Sequence, residues 1–240
     1  MQRFWSNLAV QLGKRAGLVS VVGLLVTVAL GLGISNGLIV NYTRINSFIG
    51  TLATSIVYGG LAILITGGNI VTVTKTSFGI LGQNEALGVK YTVWVFLAFA
   101  LVSGFVLART IFGRYVYAVG GNPEAARLSG IRVGVIRGTA FAISGLAAGI
   151  AGVLMASRTS SSQANLGAGL ELTAISAAVV GGTSILGGEG AIWRGVLGLL
   201  LIAIIGNGFN LLNVDTTYQQ IVQGGLILIA VAADQLLRRR

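Results

Sequence analysis

The sequence predicts an all-α, polytopic integral membrane protein: a helix bundle of about seven apolar segments. Three observations predict it. Hydrophobic residues make up 54% of the 240 positions and charged residues 9%, whereas a soluble domain is about a quarter charged. The apolar residues gather into uncharged runs, several of them close to the roughly 20 residues that carry a helix across a bilayer. The 37 glycines would weaken helices in water but suit a bundle in lipid, where small residues let backbones approach.

The segments follow in chain order. Residues 1–17 form a basic tail with Arg3, Lys14 and Arg15 and no acid. The apolar run after it is too long for a cleavable signal, so it reads as a retained anchor. Uncharged runs then mark Leu18–Val40, Ile45 to about Thr66, Tyr91–Ala108 and Gly138–Ser157. A fifth segment lies within Leu172–Leu186; it is short and reaches Gly181-Gly182, so it reads as broken or re-entrant. Gly195–Val214 and Thr217–Ala233 complete the set. Each is expected to be helical, because an apolar run alone in lipid must satisfy its own backbone. Gly33-x-x-x-Gly37 and Gly145-x-x-x-Gly149 have the spacing of close helix contacts, or of chance in so glycine-rich a chain.

Arg and Lys in short loops orient such a chain, basic side inward. Residues 109–137 hold Arg109, Arg114, Arg127, Arg132 and Arg137 against one acid, Glu124, so this loop is expected in the cytoplasm. Four crossings later Arg238–Arg240 return to the same side. Counting backwards puts Lys75, Glu85 and Lys90 outside and Arg44 inside. The first segment must then begin outside, against the charge of the tail. The count fails by one crossing, at Leu18–Val40.

Composition also excludes functions. Without Cys or His there are no thiolates, disulfides, His-based acid–base groups or usual zinc ligands. No catalytic residue and no metal site is assigned. The net charge of +10 is read as basic loops facing a cytoplasm, not as a nucleic-acid surface.

One polar segment has a local architecture of its own. In Gly121-Asn122-Pro123-Glu124-Ala125-Ala126-Arg127-Leu128-Ser129-Gly130, Asn122 can cap a helix by accepting backbone N–H groups. Pro123 suits the first helical position, Glu124 the positive end of the dipole and Gly130 a left-handed stop. Such a stub is about 10 Å long and cannot span lipid. Glu124 and Arg127 can pair with each other or with a partner. Leu128 and Ile131 are expected to share an apolar face. Without more, a surface helix with no partner is also a fair reading.

The chain from Phe112 to Asp234 resembles ribose-type ABC transporter permeases along its length. The resemblance is carried by Gly113-Arg114-Tyr115-Val116-Tyr117-Ala118-Val119-Gly120-Gly121-Asn122-Pro123-Glu124-Ala125-Ala126-Arg127-Leu128-Ser129-Gly130-Ile131 and by Ser144-Gly145-Leu146-Ala147-Ala148. Gly181-Gly182-Thr183-Ser184-Ile185-Leu186-Gly187-Gly188-Glu189-Gly190, Asn207-Gly208-Phe209-Asn210-Leu211-Leu212 and Tyr218-Gln219-Gln220-Ile221-Val222-Gln223-Gly224 continue it in order. Upstream, Ser35–Val40 and Arg44–Leu52 resemble the middle of such permeases.

The resemblance implies the membrane subunit of a bacterial sugar importer in the cytoplasmic (inner) membrane. It implies a homodimer with a second permease copy, a cytoplasmic ATP-binding subunit, and a periplasmic or lipid-anchored sugar-binding protein. Residues 121–130 would then be the helix that docks on the ATPase. The chain itself is expected to hold no cofactor and to be no enzyme: no G-x-x-x-x-G-K-[ST] surrounds Lys14, Lys75 or Lys90, so ATP would be bound by the partner. Asn207, Asn210, Gln219, Gln220 and Gln223 are candidates to line the translocation path, since amides suit hydroxyls without charge. Helix–helix hydrogen bonding, worth about 0.6 kcal/mol, is the competing use. Glu171 reads as a membrane-interface residue, and Trp5, Trp94 and Trp193 as interface anchors. Rival readings are a nucleoside, autoinducer or branched-chain amino acid permease, a passive channel, or a remnant that does not transport. The Gly-Gly-Ile-Asp-Leu-Ser-Val-Gly-Ser-like span of such permeases is not present, and an internal deletion near residues 33–36 would account for both that and the crossing count.

Overall fold

The computed structural model describes residues 18–43, 45–73, 76–184, 187–215, 218–219, 221–222, 224–225 and 228. In chain order these form helices α1 (Leu18–Thr43) and α2 (Ser47–Thr66), strand β1 (Val71–Thr72), helix α3 (Thr76–Gln83) and strands β2 (Glu85–Ala86) and β3 (Val89–Lys90). Helices α4 (Tyr91–Arg109), α5 (Ile111–Gly121), α6 (Pro123–Leu128) and α7 (Val133–Thr159) follow. Strand β4 (Ser161–Ser162) and helices α8 (Leu170–Val180) and α9 (Ile192–Leu211) complete the described elements. Five of the helices, α1, α2, α4, α7 and α9, are long and apolar enough to cross a membrane. The predicted segment Thr217–Ala233 and the Arg238–Arg240 tail lie largely or wholly outside the described residues, as do Arg44, Lys75 and Trp5.

The chain divides into two compact units, residues 1–96 with 134–167 and residues 97–133 with 168–240. In the first, α1 turns into α2 through Asn46, whose Oδ1 accepts the Phe48 amide at 2.9 Å. Both glycine pairs singled out in the sequence serve one contact. A methyl group on Gly145 would lie 2.6 Å from the Ala29 carbonyl oxygen and 2.8 Å from the Gly33 Cα. Gly37 faces Gly138 and Phe141, and Gly149 faces Ala29. Helices α1 and α7 therefore touch backbone to backbone, which larger residues would forbid. The Asn41 Nδ2 donates to the Gly134 carbonyl at 2.9 Å and ties the end of α1 to the start of α7. Helix α1 runs unbroken through residues 33–36.

The opposite end of this unit is fastened by backbone pairing. Strand β1 pairs antiparallel with β4, Val71 opposite Ser162 and Thr72 opposite Ser161. Beneath it Phe78, Val153 and Ala156 are buried, with Val22, Val26, Val73 and Leu81 packed around them. The Ser157 hydroxyl donates to the Phe78 carbonyl, and Gln83 Nε2 reaches Ser160 Oγ at 3.0 Å. The loop between α2 and α4 is thus a small built structure.

The Val22 end of α1 and the β1–β4 pairing lie at one end of the unit; Asn41 and the start of α7 lie at the other. Helix α1 is long and apolar enough to cross a membrane once.

In the second unit α8 and α9 pack face to face on glycines. A methyl on Gly198 would collide with the Ala177 carbonyl and lie 2.7 Å from the Gly181 nitrogen. The predicted fifth segment, Leu172–Leu186, needs correction: the helix is Leu170–Val180, 11 residues, about 16 Å long and half the thickness of a hydrocarbon core. Gly181-Gly182 end it, and residues 181–184 and 187–190 are not helical. The break falls at Gly181-Gly182, as expected, and the helix starts two residues earlier, at Leu170.

Candidate functional site

The segment read as a basic loop, residues 109–137, is mostly helical. Thr110 starts α5, its Oγ1 accepting the Gly113 amide at 3.2 Å. Arg132 stays outside helices, but Arg137 belongs to α7, which begins at Val133, five residues before the predicted start. Apolar runs alone do not predict helix α5, because Arg114 interrupts them. Its pattern is amphipathic rather than apolar throughout, with Gly113 and Val119 buried.

Residues 121–130 have the geometry their sequence encodes. Asn122 Oδ1 accepts the amides of Glu124 at 3.1 Å and Ala125 at 3.0 Å, satisfying two of the four orphan donors of a helix start. Pro123 holds the first helical position and Glu124 the first turn. At the far end the Ile131 amide reaches the Ala126 carbonyl and the Gly130 amide the Arg127 carbonyl, both at 3.0 Å. With Gly130 at φ +82°, this is a Schellman stop. Ser129 Oγ adds a bond to the Ala125 carbonyl at 3.0 Å. Glu124 and Arg127 pair at 3.4 Å, both largely exposed.

The apolar face differs from the expectation. Leu128 is 83% exposed and Ala126 only 4%, whereas Ile131 is half-buried beyond the stop. Leu128 and Ile131 do not form one exposed face, because the left-handed turn at Gly130 redirects the chain between them. The helix presents Leu128 beside the Glu124–Arg127 pair: one leucine and two charges on a rigid six-residue stub.

The stub is held by the end of α5 and by the loop after α8. The Asn122 amide donates to the Ala118 carbonyl at 3.1 Å, so α6 follows α5 without slack. The end of α5 rests on the loop after α8. A methyl on Gly120 would sit 2.8 Å from the Gly188 nitrogen, and one on Gly188 would sit 2.7 Å from the Gly121 Cα. Gly187, Gly188 and Gly190 all have positive φ. The Tyr117 hydroxyl donates to the Gly190 carbonyl at 2.6 Å. Two Gly-Gly pairs in a polar setting were the available signal, but pairing them across some 65 residues needs the fold.

Three of the amides proposed for a path lie on or against α9. Asn207 and Asn210 are exposed on α9, three residues apart and so on one face. Gln219 packs its side chain against Gly206 of that helix. Gln220 and Gln223 lie outside the described residues. Glu171 is exposed in the first turn of α8. Trp94 and Trp193 stand near the starts of α4 and α9, where interface anchors belong. An apolar groove of about 550 Å³ lies between α1 and α7, with Asn41 and Thr139 among its few polar groups; none of the proposed path residues lines it.

Long apolar helices, one broken helix and a capped stub in a basic segment define a multi-pass membrane protein of the transport-permease kind. The chain belongs to the family described as branched-chain amino acid transport system / permease component, which it matches over residues 3–231. It is 42% identical over 208 residues to the L-arabinose ABC transporter permease protein AraH of Azospirillum brasilense, covering 87% of this chain and 61% of that one. It is 39% identical over 224 residues to the ribose import permease protein RbsC of Haemophilus influenzae, covering 92% and 69%. With the D-allose transport system permease protein AlsC of Escherichia coli it shares 40% over 208 residues, covering 87% and 64%. The matched region thus amounts to about 61–69% of the length of these relatives. No solved structure matches the chain significantly.

Proposed function

We propose that this chain forms the translocation path of an ABC sugar importer and couples it to a separate ATP-binding subunit. The observation that carries the reading is the capped, exposed α6, which suits protein docking and cannot serve as a span. A second permease copy, the ATP-binding subunit and a sugar-binding protein on the outer face complete the assembly. Sugar is favoured over an amino acid for two reasons. The relatives named above are arabinose, ribose and allose permeases. The candidate path residues Asn207, Asn210, Gln219 and Gln223 are amides, which match neutral hydroxyls and leave the charges of a zwitterion unpaired.

The test is reconstitution with the ATP-binding subunit and the binding protein. Uptake of pentose or hexose, not of leucine, is expected. Amino acid uptake would overturn the substrate class.

A further inference from the structure

We propose that Tyr117 is a positioning residue for coupling: it carries displacement of α6 to the start of α9 through the glycine contact beneath it. The inference rests on the reading of α6 as the ATPase-docking helix and goes beyond it. Every link lies within one compact unit. Asn122 alone separates α5 from α6 and is bonded into both, through its amide to Ala118 and its side chain to Glu124 and Ala125. A push on α6 therefore moves the end of α5. There Gly120 and Gly121 meet Gly187 and Gly188 backbone to backbone, with no side chain between them to yield; close-packed contacts of this kind transmit strain.

The loop that receives the push is itself braced. The Ser184 amide donates to the Glu189 carbonyl at 3.1 Å, and the Thr183 amide to the Ala178 carbonyl of α8 at 2.9 Å. The Tyr117 hydroxyl grips Gly190, and Gly190 stands one residue before Ala191, the N-cap of α9. Gly contacts push but cannot pull. The Tyr117 hydrogen bond supplies the pull, so that α9, which carries Asn207 and Asn210, follows α6 in both directions.

The test is hydrogen exchange on the full chain assembled with its ATP-binding subunit, with and without a non-hydrolysable ATP analogue, for the parent and Tyr117→Phe. In the parent, docking should protect residues 122–131, and the analogue should alter exchange in residues 181–192. In Tyr117→Phe the protection of 122–131 should remain, while the response of 181–192 should fall about fivefold, the effect of one hydrogen bond. An undiminished loop response in Tyr117→Phe overturns the proposal. So does a parent in which 122–131 are protected and the loop never responds, whatever the variant does. If 122–131 gain no protection at all, the docking reading fails and this proposal falls with it, a result read from a different peptide.

Discussion

Asn122 does two things at once, and one substitution separates them from the charges beside it. Asn122→Ala removes both side-chain bonds to the α6 amides, a loss of about 1 kcal/mol. Exchange of the α6 amides in the isolated chain should rise about fivefold. Arg127→Glu leaves the cap intact and breaks an exposed pair, which costs little stability. It should weaken co-purification with the ATP-binding subunit while membrane insertion is unchanged; unaltered association would remove α6 from the docking surface. Cap, first-turn acid and left-handed stop were legible in the sequence because each acts within four residues of its cause. The exposure of Leu128 was not, because it depends on the direction the chain takes after Gly130.

Among the elements, legibility followed the range of the interaction. Long spans declared themselves by composition alone. Helix α5 did not, since an amphipathic helix with Arg114 and two tyrosines resembles a loop when only apolar runs are sought. The β1–β4 pairing was invisible: it is two residues long and its strands are about ninety residues apart. The glycine spacing in α1 and α7 was visible, but its meaning needed the partner helix. That meaning can be measured. Gly145→Leu forces apart backbones already in contact, and overpacking of this kind costs about 1–3 kcal/mol or more. Gly152, on the same helix, has open space around it. Thermal unfolding in detergent should show Gly145→Leu clearly less stable than the parent and Gly152→Leu close to it. Equal loss in both would mean that helix propensity, not the α1–α7 contact, sets the effect.

For the molecule as a whole, the arrangement of helix ends makes a claim about sides. Asn41 and Gly134 share one end, and the paired strands occupy the other. By the positive-inside rule, the Arg-rich segment that runs into Gly134 is expected to place the first end on the cytoplasmic side. The natural sequence has no cysteine, so single cysteines report without background. Ser129→Cys should react with an impermeant thiol reagent only from the cytoplasmic face, and Glu85→Cys only from the outer face. Reaction of position 85 from the cytoplasm would invert the scheme. The chain divides into two compact units whose residues are not consecutive in sequence. Chain order gives no hint that residues 134–167 belong with the first ninety-six.

The β1–β4 pairing also sets a schedule. A chain is made from its N-terminus, at about 5–20 residues per second. When β1 leaves the ribosome, its partner β4 is still about ninety residues from being translated, a delay on the order of ten seconds. Until α7 begins at Val133, about sixty residues after β1, α1 has no α7 beside it, and the faces of Gly33 and Gly37 meet only lipid or the insertion machinery. Helix α1 must therefore enter the membrane on its own hydrophobicity and wait there as a stable hairpin with α2. The glycine contact with α7 can form first and the β1–β4 pairing last, so a nascent chain arrested before residue 161 would hold α1 against α7 without the strand pairing.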